Sequence, residues 1–249
     1  MTHARFNLGA LVLAAACILG VTATHAATVA YYKFENGTDG APARGKGTIL
    51  DSSGNGLNGT PFGRPKYKAV SNPDSTLALR FNGTTAGVFV PDNPLLQLTH
   101  SLTLEAYVYL RNETGYGGAI IIRSDDRYDW DPYYLIVGGG HLIFLIEEAA
   151  GRGSSVVSPS ELPKNQWLHI AGTLDDATGV QALYVNGSLV ASTVTTIRPF
   201  AELKHHGGLG IGAGVQGGVD APFYFFHGFI DDVRISDVAL DPSDFLPPP

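Results

Sequence analysis

The stretch Trp167-Leu168-His169-Ile170-Ala171-Gly172-Thr173-Leu174 decides the fold class, together with the stretch Tyr184-Val185-Asn186-Gly187-Ser188-Leu189 that follows it. Alternate side chains of a strand share a face, so the first stretch places Leu168 and Ile170 on one surface and Trp167 on the other. Apolar side chains on both surfaces are typical of an inner strand in a stack of two sheets. The Asn-Gly pair of the second stretch tolerates the positive φ values that a two-residue hairpin needs. The two stretches therefore predict antiparallel strands joined by a tight turn.

Strand signals of the same kind recur along the chain after its N-terminal segment. Runs rich in Val, Ile, Tyr, Phe and Thr cover residues 29–34, 77–81, 87–90, 102–110, 119–123, 133–137, 142–146, 167–174, 181–185, 189–194, 209–211 and 223–235. Gly138-Gly139-Gly140 separates two of these runs and predicts another hairpin. About a dozen short strands separated by turns predict an all-β sandwich or barrel. Asp241-Pro242-Ser243-Asp244 predicts one short helical turn near the end.

The first 26 residues have the pattern of a secretory signal peptide. A positive charge at Arg5 precedes an apolar run over residues 8–21 and small residues around Ala26. The apolar run is about 14 residues long, short of the roughly 20 that a membrane-spanning helix needs. We therefore predict a signal helix over residues 1–26, cleaved after Ala26, and secretion to the extracellular space, the periplasm or the cell surface. An uncleaved N-terminal anchor and lipidation of Cys17 are the alternatives.

The chain that would remain after cleavage is acidic and free of cysteine. Cleavage would remove one of the 16 Lys and Arg residues and none of the 23 acids, so the net charge would change from −7 to −8. This charge disfavours nucleic acid as a partner, because phosphate contacts require clustered Lys and Arg. We predict no membrane span in the mature chain. Its length suits one large β domain, which we place at residues 27–245, with residues 246–249 as a disordered tail.

Four segments, taken in order, resemble the laminin-G-like domains of the concanavalin A-like lectin/glucanase superfamily. Residues 31–35 and 51–56 are similar to the first strand and first loop of those domains. Residues 167–187 resemble their central hairpin, and Phe229-Ile230-Asp231-Asp232-Val233-Arg234-Ile235 resembles their last strand. The resemblance covers about residues 28–245. It implies a jelly roll of two curved antiparallel sheets, often with a calcium ion, that binds carbohydrate or protein.

The loop 51–58 is the best candidate for a metal site. Calcium prefers about six to eight oxygen ligands on a loop that turns sharply, and Asp51 and Asn55 offer such oxygens in a Gly-rich segment. The family resemblance implies that Glu35 and Asp231, from first and last strands that should be neighbours, complete a structural Ca²⁺ site. The alternative is that Asp51 and Asn55 only form hydrogen-bonded turns.

The segment 123–134 is dense in charged and aromatic residues and is the best candidate for ligand binding. Aromatic rings stack on the apolar face of a sugar, acids and arginines bind its hydroxyl groups, and loops on a rigid scaffold commonly carry such functions. The predicted ligand-binding residues are Arg123, Asp125, Trp130, Tyr133 and Tyr134. The alternative is an ordinary solvated loop in which Trp130 packs against its own sheet.

The sequence offers little support for catalysis. Retaining glycosidases place two carboxylates about 5 Å apart, whereas Glu147 and Glu148 are adjacent in a predicted strand and so face opposite sides. We therefore predict a non-catalytic secreted binding module with carbohydrate as its ligand. The alternative is an adhesion or surface-assembly protein that binds extracellular proteins. A glycan-degrading enzyme with an unrecognised acid pair is a third hypothesis.

Overall fold

The computed structural model describes Met1 and residues 28–72, 75–111, 117–127, 130–204, 207–216 and 220–249. The predicted signal peptide therefore lies outside the described residues, apart from Met1. Within the described ranges, no helix has the length and apolarity needed to cross a membrane. These ranges contain 17 strands and two short 3₁₀ helices, Pro94–Leu96 and Pro242–Asp244. The predicted all-β class is confirmed, and so is the short helical turn near the end.

The strands are numbered in chain order. They are β1 (Thr28–Tyr32), β2 (Thr60–Phe62), β3 (Lys66–Asn72), β4 (Ser75–Asn82), β5 (Gly87–Pro91), β6 (Leu102–Leu110), β7 (Gly118–Ser124), β8 (Tyr133–Gly138), β9 (His141–Ala149), β10 (Arg152–Val157), β11 (Trp167–Leu174), β12 (Val180–Val185), β13 (Ser188–Val194), β14 (Gly208–Ile211), β15 (Gly214–Gln216), β16 (Ala221–Phe223) and β17 (His227–Ser236).

Two large antiparallel sheets and one small strand pair organise these elements. Sheet I has eight strands: β13-β12-β11-β6-β17-β4-β3 in order, with β1 also paired to β17. Sheet II has seven strands in the order β10-β9-β8-β7-β14-β5-β2, while β15 and β16 pair separately. This arrangement confirms the predicted jelly-roll sandwich. It also confirms that β11 is an inner strand, since it lies between β12 and β6.

The main core comes from alternate residues of the strands that face each other across the two sheets. In β6, Leu104, Ala106 and Val108 are fully buried and belong to this core. Gly172 lies on the same face of β11, where an added Cβ atom would approach the Phe144 ring of β9 to 2.7 Å. Glycine at this position therefore leaves room for an aromatic ring from the opposite sheet.

The predicted hairpins are confirmed by their backbone angles. Asn186 and Gly187 have φ values of 50° and 73°, both positive as a type I′ turn requires. They join β12 to β13, which pair antiparallel. Gly139 and Gly140, with φ values of 55° and 83°, join β8 to β9 in the same way.

The last strand, β17, is the central element of sheet I. One of its edges pairs with β6, and the opposite edge pairs first with β4 and then with β1. The register shifts between Asp231 and Arg234, where Asp232 has a φ of 46°. Aspartate adopts this left-handed conformation more readily than most residues, and the Tyr31 hydroxyl donates to the Asp232 carboxylate at 2.8 Å. The predicted contact between the first and last strands is therefore confirmed.

The C-terminal segment 237–247, which we call the strap, crosses part of the outer face of sheet I. The ring of Phe245 lies 5.1 Å from the ring of Tyr184 and 5.6 Å from that of His169, measured between centroids. Phe245 is only 8% exposed and forms a small second core with Leu240 and strand residues of the sheet. The strap therefore shields part of this face from water.

The end of the strap is also held by hydrogen bonds. The Leu246 amide donates to the Glu105 carboxylate at 2.9 Å, and the Tyr107 hydroxyl donates to the carbonyl of Pro247. We had predicted disorder over residues 246–249, but Leu246 and Pro247 are bound to the sheet. The hydropathy of the sequence does not indicate these contacts. The partners on the sheet, Glu105 and Tyr107, carry polar groups and lie on the outer face of β6, so they do not look like core residues.

Glu105 is the anchor beneath the strap. Its side chain is fully buried, with the imidazole Nε2 of His169 at 2.8 Å and the Nε of Arg234 at 2.6 Å. A buried carboxylate is tolerated when charge partners and hydrogen bonds replace the lost water. The strap and the sheet together supply these partners.

We predict that Phe245→Ala lowers the free energy of unfolding by about 2–4 kcal/mol, because it removes a buried aromatic side chain and loosens the cover over Glu105. Thermal or denaturant unfolding of the full chain measures this effect. Pro249→Ala, at the exposed chain end, is the matched control and should change the stability little. Equal stability of the two variants would contradict the packing of the strap.

Candidate functional site

The loop that contains Asp51 is held by that residue's own carboxylate. Oδ1 accepts hydrogen bonds from the amides of Tyr31 and Ser53 at 3.0 and 2.9 Å. Oδ2 accepts from the Ser53 hydroxyl at 2.8 Å and from the Leu57 amide at 3.0 Å. A carboxylate has about four acceptor positions, so these contacts account for the position of Asp51 without further ligands.

Asn55 ties the same loop to β1. Its Nδ2 donates to the carbonyls of Thr28 and Val29 at 3.2 and 2.9 Å. Asp51 and Asn55 therefore lie together beside the first strand. Their amide and carboxylate groups act as turn formers in this arrangement.

Glu35 has a different set of partners, at the start of β4. Its Oε1 accepts from the amides of Thr76 and Leu77 at 2.7 and 2.8 Å and from the hydroxyl of Ser75. Desolvation raises the pKa of Glu35, but the hydrogen bonds from Ser75, Thr76 and Leu77 outweigh it and hold the pKa below its ordinary value. The carboxylate is therefore held ionised by protein donors.

Asp231 lies fully buried at the bulge of β17, where its carboxylate accepts from the Asp232 amide at 2.9 Å. In the part of the chain that the structure describes, no three His, Cys, Asp or Glu side chains gather as a group that could hold a metal ion. The structure thus brings Asp51 and Asn55 together but does not add Glu35 and Asp231 to them.

Arg123, a predicted ligand residue, is fully buried at the end of β7. Its guanidinium group donates to the Asp92 carboxylate at 2.9–3.2 Å and to the Ala201 carbonyl at 2.7 Å. It also lies 6.0 Å from the ring centroid of Tyr133. The Tyr133 hydroxyl donates to the Leu96 carbonyl at 2.9 Å, and burial raises the pKa of Tyr133. Both side chains therefore have partners within the protein.

Asp125, Arg127 and Trp130 of the predicted ligand segment also contact other parts of the protein. Asp125, fully buried, accepts from the Lys204 amide at 2.8 Å and pairs with Arg127. The guanidinium carbon of Arg127 lies 3.7 Å from the Trp130 ring centroid. Trp130 packs edge-on against Phe200, with centroids 5.3 Å apart. These contacts hold the connection between β13 in sheet I and β14 in sheet II.

Of the five predicted ligand residues, Arg123, Asp125 and Tyr133 are thus internal, whereas Trp130 and Tyr134 are partly exposed. Of the five side chains, only those of Trp130 and Tyr134 are exposed enough to contact a ligand. The charged and aromatic side chains of this segment therefore mainly hold the connection between β13 and β14 in place.

The part of the outer face of sheet I beyond the strap carries an aromatic cluster that the sequence analysis missed. Trp167, Tyr109 and Phe229 are direct cross-strand neighbours on β11, β6 and β17. Their centroids are 5.8 Å apart for Trp167 and Tyr109, and 5.5 Å for Tyr109 and Phe229. All three side chains are partly exposed. We call this set the aromatic row. Only the strand register, which brings together distant parts of the sequence, reveals it.

Cationic side chains continue the aromatic row. Arg80 on β4 is the cross-strand neighbour of Phe229, and Lys66 on β3 is the neighbour of Arg80. The guanidinium carbon of Arg111 lies 5.7 Å from the Phe229 ring centroid. Burial, followed by repulsion from Arg111 and Arg80, lowers the pKa of His227. One end of the row therefore carries a group of neighbouring cationic side chains.

Two surface cavities offer a comparison. One, of about 480 Å³, lies beside the strap and is lined by Tyr184 and Asp241, among others. Another, of about 530 Å³, lies under the loop after β1 and includes Tyr67 and Arg44. Each contains a single aromatic side chain in its lining, so the aromatic row is the richer surface for stacking.

Comparison with solved structures supports the fold. Domain 4 of AbnA, a GH43 extracellular arabinanase from Geobacillus stearothermophilus solved in complex with arabinotriose, has a TM-score of 0.62 at 22% identity, over 88% of this chain and 96% of that one. The binding domain of botulinum neurotoxin DC in complex with SialylT has a TM-score of 0.60 at 14% identity, over 88% of this chain and 50% of that one. At these identities the likeness shows the fold alone.

A third similar structure is the binding domain of Paraclostridial Mosquitocidal Protein 1, with a TM-score of 0.59 at 16% identity, over 82% of this chain and 49% of that one. The chain spans about half the length of the toxin binding domains that it matches. No curated protein matches the sequence significantly.

The sequence itself assigns the family. The profile of the laminin-G-like group within the concanavalin A-like lectin/glucanases superfamily matches residues 82–244, more than half of the 249 residues. This range includes β6, β11 and β17, the strands that carry the aromatic row. The chain therefore belongs to the concanavalin A-like lectin/glucanases superfamily.

Proposed function

We propose that this protein is a non-catalytic, secreted binding module whose ligand is carbohydrate. The observation that carries the proposal is the aromatic row, in which three partly exposed rings occupy adjacent strands in register. Aromatic side chains combine a large apolar surface with little conformational freedom, and Tyr and Trp add a polar group. A sugar presents an apolar C–H face and a rim of hydroxyl groups, which such a surface complements.

The position of the row on a sheet also supports binding. Cross-strand pairs on β11, β6 and β17 fix the spacing of the three rings. Little ordering of the protein is then needed when a ligand binds, and preorganisation of this kind favours affinity. Two similar structures add support, since domain 4 of the arabinanase was solved in complex with arabinotriose and the botulinum neurotoxin DC binding domain in complex with SialylT.

The state of Glu105 supports a non-catalytic role. A general acid or base must come within hydrogen-bond reach of its substrate. Glu105 lies on the same face of sheet I as the aromatic row, but it is fully buried and bound to His169, Arg234 and the strap. We therefore infer that this carboxylate stabilises the fold and that the protein binds glycans without cleaving them.

The two tryptophans of the chain allow a direct test of the site. Trp130→Phe leaves Trp167 as the sole indole fluorophore, and Trp167→Phe leaves Trp130. We predict that a bound oligosaccharide changes the emission of the Trp130→Phe variant and not that of the Trp167→Phe variant, because only Trp167 lies in the aromatic row. Fluorescence titration against a panel of neutral and acidic oligosaccharides measures this.

Calorimetry on the same panel provides the affinity. Trp167→Ala should weaken binding about tenfold, and Trp130→Ala should leave it unchanged in the folded fraction. A response confined to Trp130 would place the site at the loop 123–134. Binding to no member of the panel, or release of reducing ends from polysaccharides, would contradict the proposal. The first of these results would favour a protein ligand, as in an adhesion protein.

The calcium ion predicted for the Asp51 loop remains a proposal. What supports it is the cluster of Asp51, Asn55 and backbone carbonyls beside β1. The four hydrogen bonds that Asp51 already accepts weigh against it, because an ion would have to replace some of them. Stability measurements separate the two roles.

We predict that Asp51→Ala lowers the free energy of unfolding by about 2–4 kcal/mol even in the presence of chelator, because four hydrogen bonds to a carboxylate are lost. A bound ion would add about 2.7 kcal/mol at a hundredfold excess over its Kd. Chelator would then lower the melting temperature of the wild type by several degrees and leave Asp51→Ala unaffected. Asp220→Ala, at an exposed position, is the control. Identical wild-type melting curves with and without chelator would overturn the calcium proposal.

A further inference from the structure

We propose that the aromatic row and its cationic neighbours bind an acidic polysaccharide built from uronic acids, with Arg80 and Arg111 pairing with the carboxylate groups. This inference rests on the proposed carbohydrate-binding function and names the ligand class of the same face. It is carried by the placement of two exposed arginines beside Phe229, one as its cross-strand neighbour and one with its guanidinium carbon 5.7 Å from the ring.

The positive charge of this surface contrasts with the whole chain. The protein carries 23 acids against 16 Lys and Arg residues, so its overall field opposes an anionic ligand. Arg80 and Lys66 are nevertheless neighbours on adjacent strands, and both are exposed. Like charges directly opposite each other in a sheet are destabilising. A function that needs this charge explains why the pair is present.

Among the residues that the structure describes, the carboxylates next along the face, Asp231 and Glu105, are both fully buried. Glu105 forms an ion pair with Arg234 and lies within hydrogen-bond distance of His169. The lowered pKa of His227 agrees with this picture, because Arg111 and Arg80 both contribute to the shift after burial. Arg80 and Arg111 both lie beside Phe229 and are thus close enough to contact the same ligand molecule.

The chemistry of the two arginines favours a carboxylate. A guanidinium group presents its N–H donors as a planar fork that matches the two oxygens of a carboxylate. A tetrahedral oxyanion such as a sulfate ester can also accept two hydrogen bonds from this fork, so the experiment includes a sulfated ligand as the competing anion. A uronic acid unit therefore supplies both an apolar ring face for the aromatic row and a planar anion for the arginines.

The length of the surface indicates an oligosaccharide rather than a single sugar. From Arg80 on β4 to Trp167 on β11 the row crosses three strand spacings, since β17 and β6 lie between. At about 4.8 Å for each spacing this distance is about 14 Å. Several linked sugar units are needed to contact both ends.

The test compares ligands that differ in the presence or the type of their anionic group. Full-length protein is titrated in a calorimeter with tetragalacturonate, with the same tetrasaccharide as its neutral methyl ester, and with a sulfated galactan tetrasaccharide. We expect the free acid to bind at least about tenfold more tightly than the ester, because the ester offers the arginines a neutral acceptor in place of an ionised carboxylate. The preference should shrink as salt rises from low to physiological concentration, because salt screens exposed charges.

Variants assign the effect to the arginines. Arg80→Gln and Arg111→Gln should each weaken tetragalacturonate binding about tenfold and leave binding of the methyl ester unchanged. Arg152→Gln, an exposed arginine on β10 of sheet II, is the matched control and should change neither. Trp167→Ala should weaken binding of both ligands, which keeps the stacking contribution separate from the charge contribution.

Each outcome has a distinct meaning. Equal binding of acid and ester, or stronger binding of the sulfated tetrasaccharide, would overturn the uronic acid inference while leaving the carbohydrate-binding function in place. An undiminished preference in Arg80→Gln and Arg111→Gln would also overturn it. Absence of binding by all three ligands would overturn the inference too, and binding of unrelated neutral oligosaccharides would then decide whether the proposed function itself survives.

Discussion

The pairing of β17 with β6 on one edge, and with β4 and β1 on the other, determines how sheet I is assembled. Asp231 faces Tyr107 across this pairing, so a large part of the chain must be closed into a loop before the contact forms. The entropic cost of such closure grows only slowly with loop length. The hydrogen-bonded pairs on either side of the bulge and the buried side chains of Ile230 and Val233 offset that cost. Along one edge, β17 therefore pairs with β4 before the bulge at Asp232 and with β1 after it.

This pairing also sets the composition of the outer face of sheet I. The strap covers one part of the face, and there the carboxylate of Glu105 is accommodated because His169, Arg234 and the Leu246 amide contact it. The part that carries the aromatic row is exposed to water. Its aromatic and arginine side chains tolerate that position because each combines an apolar body with a polar group or charge. The same strands thus carry the strap contacts at one end and the aromatic row, our proposed binding surface, at the other.

The segment 123–134, which the sequence analysis selects for ligand binding, shows that the composition of a charged loop fits more than one role. Arg123 and Asp125 lie in a segment whose composition fits a sugar site, yet both fasten the connection between the two sheets. A crossover between sheets leaves backbone carbonyls and amides that need partners, and buried charged side chains provide them. Trp130 completes the contact by packing between Arg127 and Phe200. Composition cannot distinguish this use from recognition of a ligand.

The sequence by itself determined the β class, the Asn186-Gly187 and Gly138–Gly140 hairpins, the inner position of β11 and the family, because these depend on side-chain alternation and on turn residues that are local in the chain. It did not indicate β2, β3 or β10, which lie at sheet edges. Edge strands need no continuous apolar pattern, and Arg152–Val157 accordingly contains Gly and Ser. Only the tertiary structure decided that Glu35 has different hydrogen-bond partners from Asp51 and Asn55. It also decided that one surface is formed by Trp167, Tyr109, Phe229 and Arg80. The reason is register: which residues face each other across β11, β6, β17 and β4 is set by pairing between distant segments, and no local pattern records it.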